Sequence, residues 1–114
     1  MERRAPRYTV WLPVTVEELE EGVAVGHDAS ARGIAMVTAS RLRVGASVTV
    51  HLQLSPEAPS ERVVKGHVVR VEQNTEDPDG LWPHRLAIEF EEADPEVGRA
   101  LAALADRGIA KKKQ

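Results

Sequence analysis

The 114-residue sequence contains no cysteine. Disulfide frameworks, Cys-based zinc sites and thiol nucleophiles are therefore excluded, and the chain suits a reducing compartment. Aromatic side chains are scarce as well. Tyr8, Trp11, Trp82 and Phe90 are the only ones, so Val, Leu, Ile and Ala must fill the core. No apolar run approaches the roughly 20 residues needed to cross a bilayer, and Met1-Glu2-Arg3-Arg4 is not followed by a signal-peptide stretch. The expectation is a cytoplasmic protein without membrane insertion. The length fits one domain, near the common size of about 100–150 residues, and leaves little room for a separate effector module.

Charge is unevenly spread behind a net value of −3. Arg3, Arg4 and Arg7 lie at one end and Lys111, Lys112 and Lys113 at the other. Between Tyr8 and Ala110 there remain nine Lys and Arg against seventeen Asp and Glu, a balance of −8. Such a body repels a long polyanion, so no DNA partner is expected, while a small anionic ligand held by the N-terminal arginines stays compatible.

Tyr8 to Val16 alternates, with Tyr8, Val10, Leu12, Val14 and Val16 on one face, which predicts a half-buried strand. Pro13 donates no ladder hydrogen bond, so a free edge or a bulge is expected there. A short strand follows around Val23 to Val25. Gly26 to Gly33 reads as a loop because it is rich in residues that bond their own backbone or turn easily. Further strands are predicted at Ile34 to Ala39, Ser47 to Leu54, Arg62 to Gln73 and His84 to Phe90. Asp94-Pro95-Glu96 is a helix start, Val97, Leu101, Leu104 and Ala105 form an apolar stripe, and Gly108 is a stop. Six antiparallel strands lose their edges by closing into a small barrel, with the helix against it. The predicted organisation is a flexible basic arm at 1–7, a β-barrel with its helix (about 95–106) at 8–108, and a basic, disordered tail at 109–114.

Two segments carry candidate chemistry: Arg3-Arg4-Ala5-Pro6-Arg7 and Asp28-Ala29-Ser30-Ala31-Arg32-Gly33. Taken singly, the first is an ordinary solvated basic terminus and the second an ordinary turn. Together, in this order and separation, they resemble the PilZ family, whose RxxxR pattern is met at Arg3 and Arg7, with Arg4 beside it, and whose (D/N)xSxxG pattern is met at Asp28, Ser30 and Gly33. Gly66 to Val71 and Leu86 to Phe90 are similar to the later strands of that family. Ala87 departs from it, standing where members often have glycine, and lies outside both motifs.

The resemblance implies a six-stranded antiparallel PilZ-type β-barrel with a C-terminal helix. It also implies a bacterial receptor or adaptor for cyclic di-GMP, engaged in motility, adhesion or biofilm control, that changes its arm conformation on ligand binding and signals to an unidentified protein effector. The expected ligand residues are Arg3, Arg4, Arg7, Asp28, Ser30 and Gly33. Arg32 fits either a ligand contact or an exposed turn. The residue types suit that ligand, since an arginine fork bonds phosphate oxygens or the O6/N7 edge of guanine and stacks on a base. Asp28 can accept from the N1 and N2 donors of a guanine, Ser30 offers a hydroxyl, and Gly33 allows close backbone approach.

No catalytic constellation is present, because His27, Asp28 and Ser30 share one short segment and do not align as a triad. His27, His51, His67 and His84 fall in separate elements without metal-ligand spacing, so neither metal nor cofactor is expected. The expected assembly is a monomer or weak dimer. The competing readings are a PilZ-like protein-interaction module that does not bind the nucleotide and, less favoured by the acidic body and few aromatics, a barrel for single-stranded nucleic acid.

Overall fold

The computed structural model describes residues 5–54 and 61–113. Among the described residues, seven strands and one helix follow in the order β1 (Tyr8–Val16), β2 (Val23–Ser30), β3 (Gly33–Thr38), β4 (Ser47–Gln53), β5 (Glu61–Gln73), β6 (His84–Phe90), α1 (Pro95–Asp106) and β7 (Lys111–Lys112). Neighbouring strands run in the order β2-β3-β6-β5-β4-β1, and β1 pairs back onto β2, so six antiparallel strands close into a barrel. The fold expected from the sequence is therefore present. Closure leaves the six strands no long free edge, which suits a chain this short.

In β1 the alternation is kept along its whole length, with Tyr8, Val10, Leu12, Val14 and Val16 buried and the residues between them exposed. Pro13 sits where the strand can tolerate it. On one side β1 pairs with β4 only over Val14–Val16 and with β7 only over Tyr8 and Thr9, and a register shift against β2 lies between Thr9 and Leu12. Aliphatic side chains dominate the core: Met36, Leu52, Leu86 and Leu101 are its largest fully buried members, joined by valines of β1, β4 and β5.

The helix begins where predicted. The Asp94 carboxylate accepts from the backbone N–H groups of Glu96 and Val97, Pro95 occupies the first turn, and Val97, Leu101 and Leu104 face the core. Arg62 of β5 grips the same carboxylate through Nε at 2.9 Å and Nη2 at 3.2 Å, tying the helix start to the barrel wall. Gly108, at φ +77°, ends the helix.

Two segments differ from expectation. β2 continues to Ser30 and β3 starts at Gly33, so the expected loop at 26–33 is a hairpin whose turn is only Ala31-Arg32. Pairing to β1 on one side and β3 on the other overrides the local turn preference of Gly, Asp and Ser. In the segment expected to be a disordered tail, Lys111–Lys112 form β7, which pairs with the start of β1 at Tyr8↔Lys112 and Thr9↔Lys111, and the N–H of Lys113 donates to the Arg7 carbonyl at 2.8 Å. Ala110 is buried beneath it.

Gly66 of β5 is required by close packing. A Cβ there would lie 2.4 Å from the Glu89 carbonyl oxygen, which belongs to the neighbouring strand. Gly66→Ala is expected to lower the unfolding free energy by about 1–3 kcal/mol in denaturant titration, as overpacking typically does; unchanged stability would mean that β6 yields there at no cost.

Candidate ligand-binding site

Two bulges set the site. Along β2, Gly26 pairs with the fully buried Met36, but a register shift at His27 places Asp28 opposite Ala35, on the outer face. Along β5, Val68 pairs with buried Ile88, and a second shift at Val69 places Arg70 opposite Ala87. Regular alternation would have sent Asp28 and Arg70 inward; each bulge re-aims a charged side chain to the outside. Through the register Asp28↔Ala35, Ala35↔Ala87 and Ala87↔Arg70, four strands contribute one row: a carboxylate, two methyl groups and a guanidinium. Three interstrand steps of roughly 4.8 Å span about 14 Å.

A second row lies beside it, running from Ser30 through Gly33 to Glu89. Here the hairpin turn is fastened to the rest of the fold: Arg32 O accepts from Phe90 N–H at 2.9 Å, and Ala31 O accepts from Asp94 N–H at 2.7 Å. Ser30 Oγ accepts from Arg32 N–H at 3.0 Å, the side-chain-to-backbone bond of an ordinary turn. Gly33 has no room for a side chain, since a Cβ would sit 2.5 Å from the Ile88 carbonyl oxygen.

Over these rows opens a cavity of about 360 Å³ lined by Arg7, Asp28, Ser30, Arg32, Gly33, Ala35, Val69, Arg70, Ala87 and Glu89, with Ile34 and Ile88. Among the sequence-predicted residues, Arg7, Asp28, Ser30, Gly33 and Arg32 are thus brought together; Arg3 and Arg4 lie outside the described residues. Sequence reasoning missed Arg70, Glu89 and the small floor residues Ala35 and Ala87. Ala87, set aside as lying outside the motifs, is part of the cavity wall. The available signal was an arginine within the short run Val68-Val69-Arg70-Val71, and it points to the site only once the bulge that sets it opposite Ala87 is known.

Electrostatically the site centres on Asp28, only 7% exposed. Arg7 meets it with a fork, Nη2 to Oδ2 at 2.8 Å and Nε to Oδ1 at 3.4 Å, and Lys113 Nζ donates to the same Oδ2. Burial pushes the Asp28 pKa up, but the hydrogen bonds from Lys113 and Arg7 outweigh it and hold the carboxyl below its ordinary value. The cavity lining carries three guanidiniums, Arg7, Arg32 and Arg70, against the carboxylates of Asp28 and Glu89. Such a lining accepts an anion with a planar, donor-bearing group: guanidinium forks for oxygens, a carboxylate for paired N–H donors, and a shallow methyl floor for a ring.

Elsewhere, Trp11 (68% exposed), Val23 and half-buried Trp82 line an apolar cleft of about 610 Å³. Among the described residues no cluster of His, Asp or Glu is arranged to hold a metal, and no helix is long and apolar enough to cross a membrane.

The sequence pattern of the PilZ domain matches residues 2–107. The chain superposes on the inhibitor of motility MotI/DgrA of Bacillus subtilis with a TM-score of 0.71 at 22% identity, covering 96% of this chain and 52% of that one. A pathogenic protein of Xanthomonas campestris, whose tetrameric PilZ domain self-assembles through a helical bundle, gives 0.58 at 21% identity, with coverage of 76% and 47%. The PilZ domain of Escherichia coli YcgR, solved with c-di-GMP, gives 0.66 at 16% identity, with coverage of 95% and 94%. The chain spans about half the length of the Bacillus and Xanthomonas proteins. At these identities the likeness establishes the fold. No curated protein matches the sequence.

Asp28 also makes a pH prediction. Its folded pKa lies below the unfolded value of about 3.9, so its contribution to stability is present above that value and is lost as the pH falls through the folded one. The melting-temperature gap between the parent protein and Asp28→Asn should shrink as the pH falls below about pH 5. A gap independent of pH down to about pH 2 would contradict the assignment.

Proposed function

The chain belongs to the PilZ domain family, and from that premise we propose that it is a cyclic di-GMP receptor that acts through a partner rather than by catalysis. One observation carries the reading: both motif segments, distant in sequence, line the same cavity, with Arg7 from the first and Asp28, Ser30 and Gly33 from the second. A relative in the structural comparison, the YcgR domain, was solved with this nucleotide.

The chemistry assigns the roles. Asp28 accepts from the N1 and N2 donors of one guanine, and Ser30 bonds a ligand polar atom. Ala35 and Ala87 leave space for the flat ring. Arg7, with Arg3 and Arg4 of the same arm, takes phosphate oxygens or a guanine edge, and Arg32 and Arg70 add positive charge from the barrel. Ligand binding draws Arg7 from Asp28 to the nucleotide and folds the arm over the cavity. The arginine side of this ion pair is 60% exposed, so its head can turn to a ligand in the open cavity.

Output follows from the connections of the site. The Ala31-Arg32 turn bonds directly to the start of α1 and the end of β6, so a change at the hairpin reaches the helix. A partner protein reads the altered surface, and the Trp11–Val23–Trp82 cleft is exposed apolar area of the kind that partners cover. The same cleft favours the second reading, a protein-interaction module with an unused nucleotide site.

Calorimetric titration decides between them. The parent protein should bind cyclic di-GMP and neither cyclic di-AMP nor GTP, and Arg7→Ala should weaken binding at least about tenfold, equivalent to roughly 1.4 kcal/mol. No heat at high ligand concentration, together with an unmoved melting temperature, would discard the receptor reading in favour of the interaction module.

A further inference from the structure

The basic segment that follows the helix is delivered to the ligand site by backbone pairing. Lys111 and Lys112 pair with Thr9 and Tyr8, and the Lys113 N–H donates to the carbonyl of Arg7. This brings Lys113 Nζ to Oδ2 of Asp28, the oxygen that also accepts from Arg7 Nη2. The two cations arrive from different sides. Arg7 lines the cavity with Asp28 and Ser30, whereas Lys113 lines a separate depression with Thr9, Lys111 and Lys112.

We propose that Lys113 is a positioning residue of the ligand site, holding the Asp28 carboxylate ionised and in place while Arg7 is drawn to the ligand. The inference rests on the receptor reading. An ionised carboxylate has about four acceptor positions, and an ammonium uses one of them. With Arg7 withdrawn, both oxygens can face the two donors of a guanine while Oδ2 still accepts from Lys113. Without Lys113, the same withdrawal strands an almost fully buried carboxylate with no counter-charge, which is strongly unfavourable. Two hydrogen-bonded cations on one exchangeable site thus have separate tasks, one mobile and one fixed by the β1–β7 ladder.

The groups around Asp28 make the expected pH behaviour specific. On β2 its neighbour is His27, whose own pKa is lowered by burial and then by Arg85. Thr9 of β1 and Ala35 of β3, the residues paired with it, are uncharged. Only Arg7 and Lys113 hydrogen-bond its carboxylate among the described residues.

The test compares the parent chain with Lys113→Met, Lys113→Arg and, as a control on an exposed neighbour, Lys112→Met. Cyclic di-GMP is titrated calorimetrically at pH 7 and pH 5, and the Asp28 side-chain carboxyl is followed by carbon NMR through an acid titration without ligand. Lys113→Met should weaken binding at least about tenfold, more so at pH 5, and raise the Asp28 midpoint. Lys113→Arg should restore both, and Lys112→Met should change neither. Lys113→Met binding as tightly as the parent, or tighter, would overturn this inference alone. Absence of binding by the parent would overturn the receptor reading and this inference with it. An Asp28 midpoint unmoved by Lys113→Met would equally remove Lys113 from its role.

Discussion

A carboxylate that is 7% exposed in the middle of a strand has to be met by positive charge, and the ends of the domain are arranged around that requirement at Asp28. Arg7 comes from the segment before β1, and Lys113 from the segment after α1. Both reach the same carboxylate because β7 lies along the start of β1, and β1 lies along β2. Burial alone would favour the protonated acid; the two donors reverse that preference and keep a charged acceptor available inside a cavity. A buried ion pair is weak evidence for stability, and here its exchangeable, solvent-facing arginine argues for a binding role.

The second constraint is steric and lies in the barrel wall. Gly33 passes under the Ile88 carbonyl with no space for a Cβ, and Ala35 and Ala87 are paired at the centre of the outer row. Larger side chains at these alanines would fill the floor on which a ring can lie. The bulges at His27 and Val69 then place opposite charges at the two ends of that floor. Each bulge gives up regular pairing at one residue and gains a charged side chain aimed outward, a use of irregular strands that recurs beside functional sites.

Much of this was legible in the sequence. The alternation of β1 and β4, the Asp94-Pro95 helix start and the stripe of Val97, Leu101 and Leu104 depend on local patterning, and the structure follows them. Arg7, Asp28, Ser30 and Gly33 could be singled out because both motifs occur in one chain, and the cavity gathers them. The residue types of Asp28 and Ser30 favour turns and predict a loop, whereas pairing with two neighbouring strands decides the outcome. Arg70 escapes the sequence for a different reason: only the bulge at Val69 puts it on the face that carries the motifs, whereas Ala87 faces that way by the regular alternation of β6. Lys113 falls in a stretch whose basic run carries no local signal for pairing and predicts a disordered tail, and its contact with Asp28 spans 85 positions of sequence.

Backbone amide NMR during titration with cyclic di-GMP addresses the central claim, that the two motifs form one ligand site around Asp28. Shifts are expected to concentrate at Arg7, Asp28 to Gly33, Ala35, Arg70 and Glu89, with smaller ones at the helix start bonded to the Ala31-Arg32 turn. Shifts confined to other surfaces, such as the Trp11 and Val23 cleft, or no shifts at saturating ligand, would contradict it.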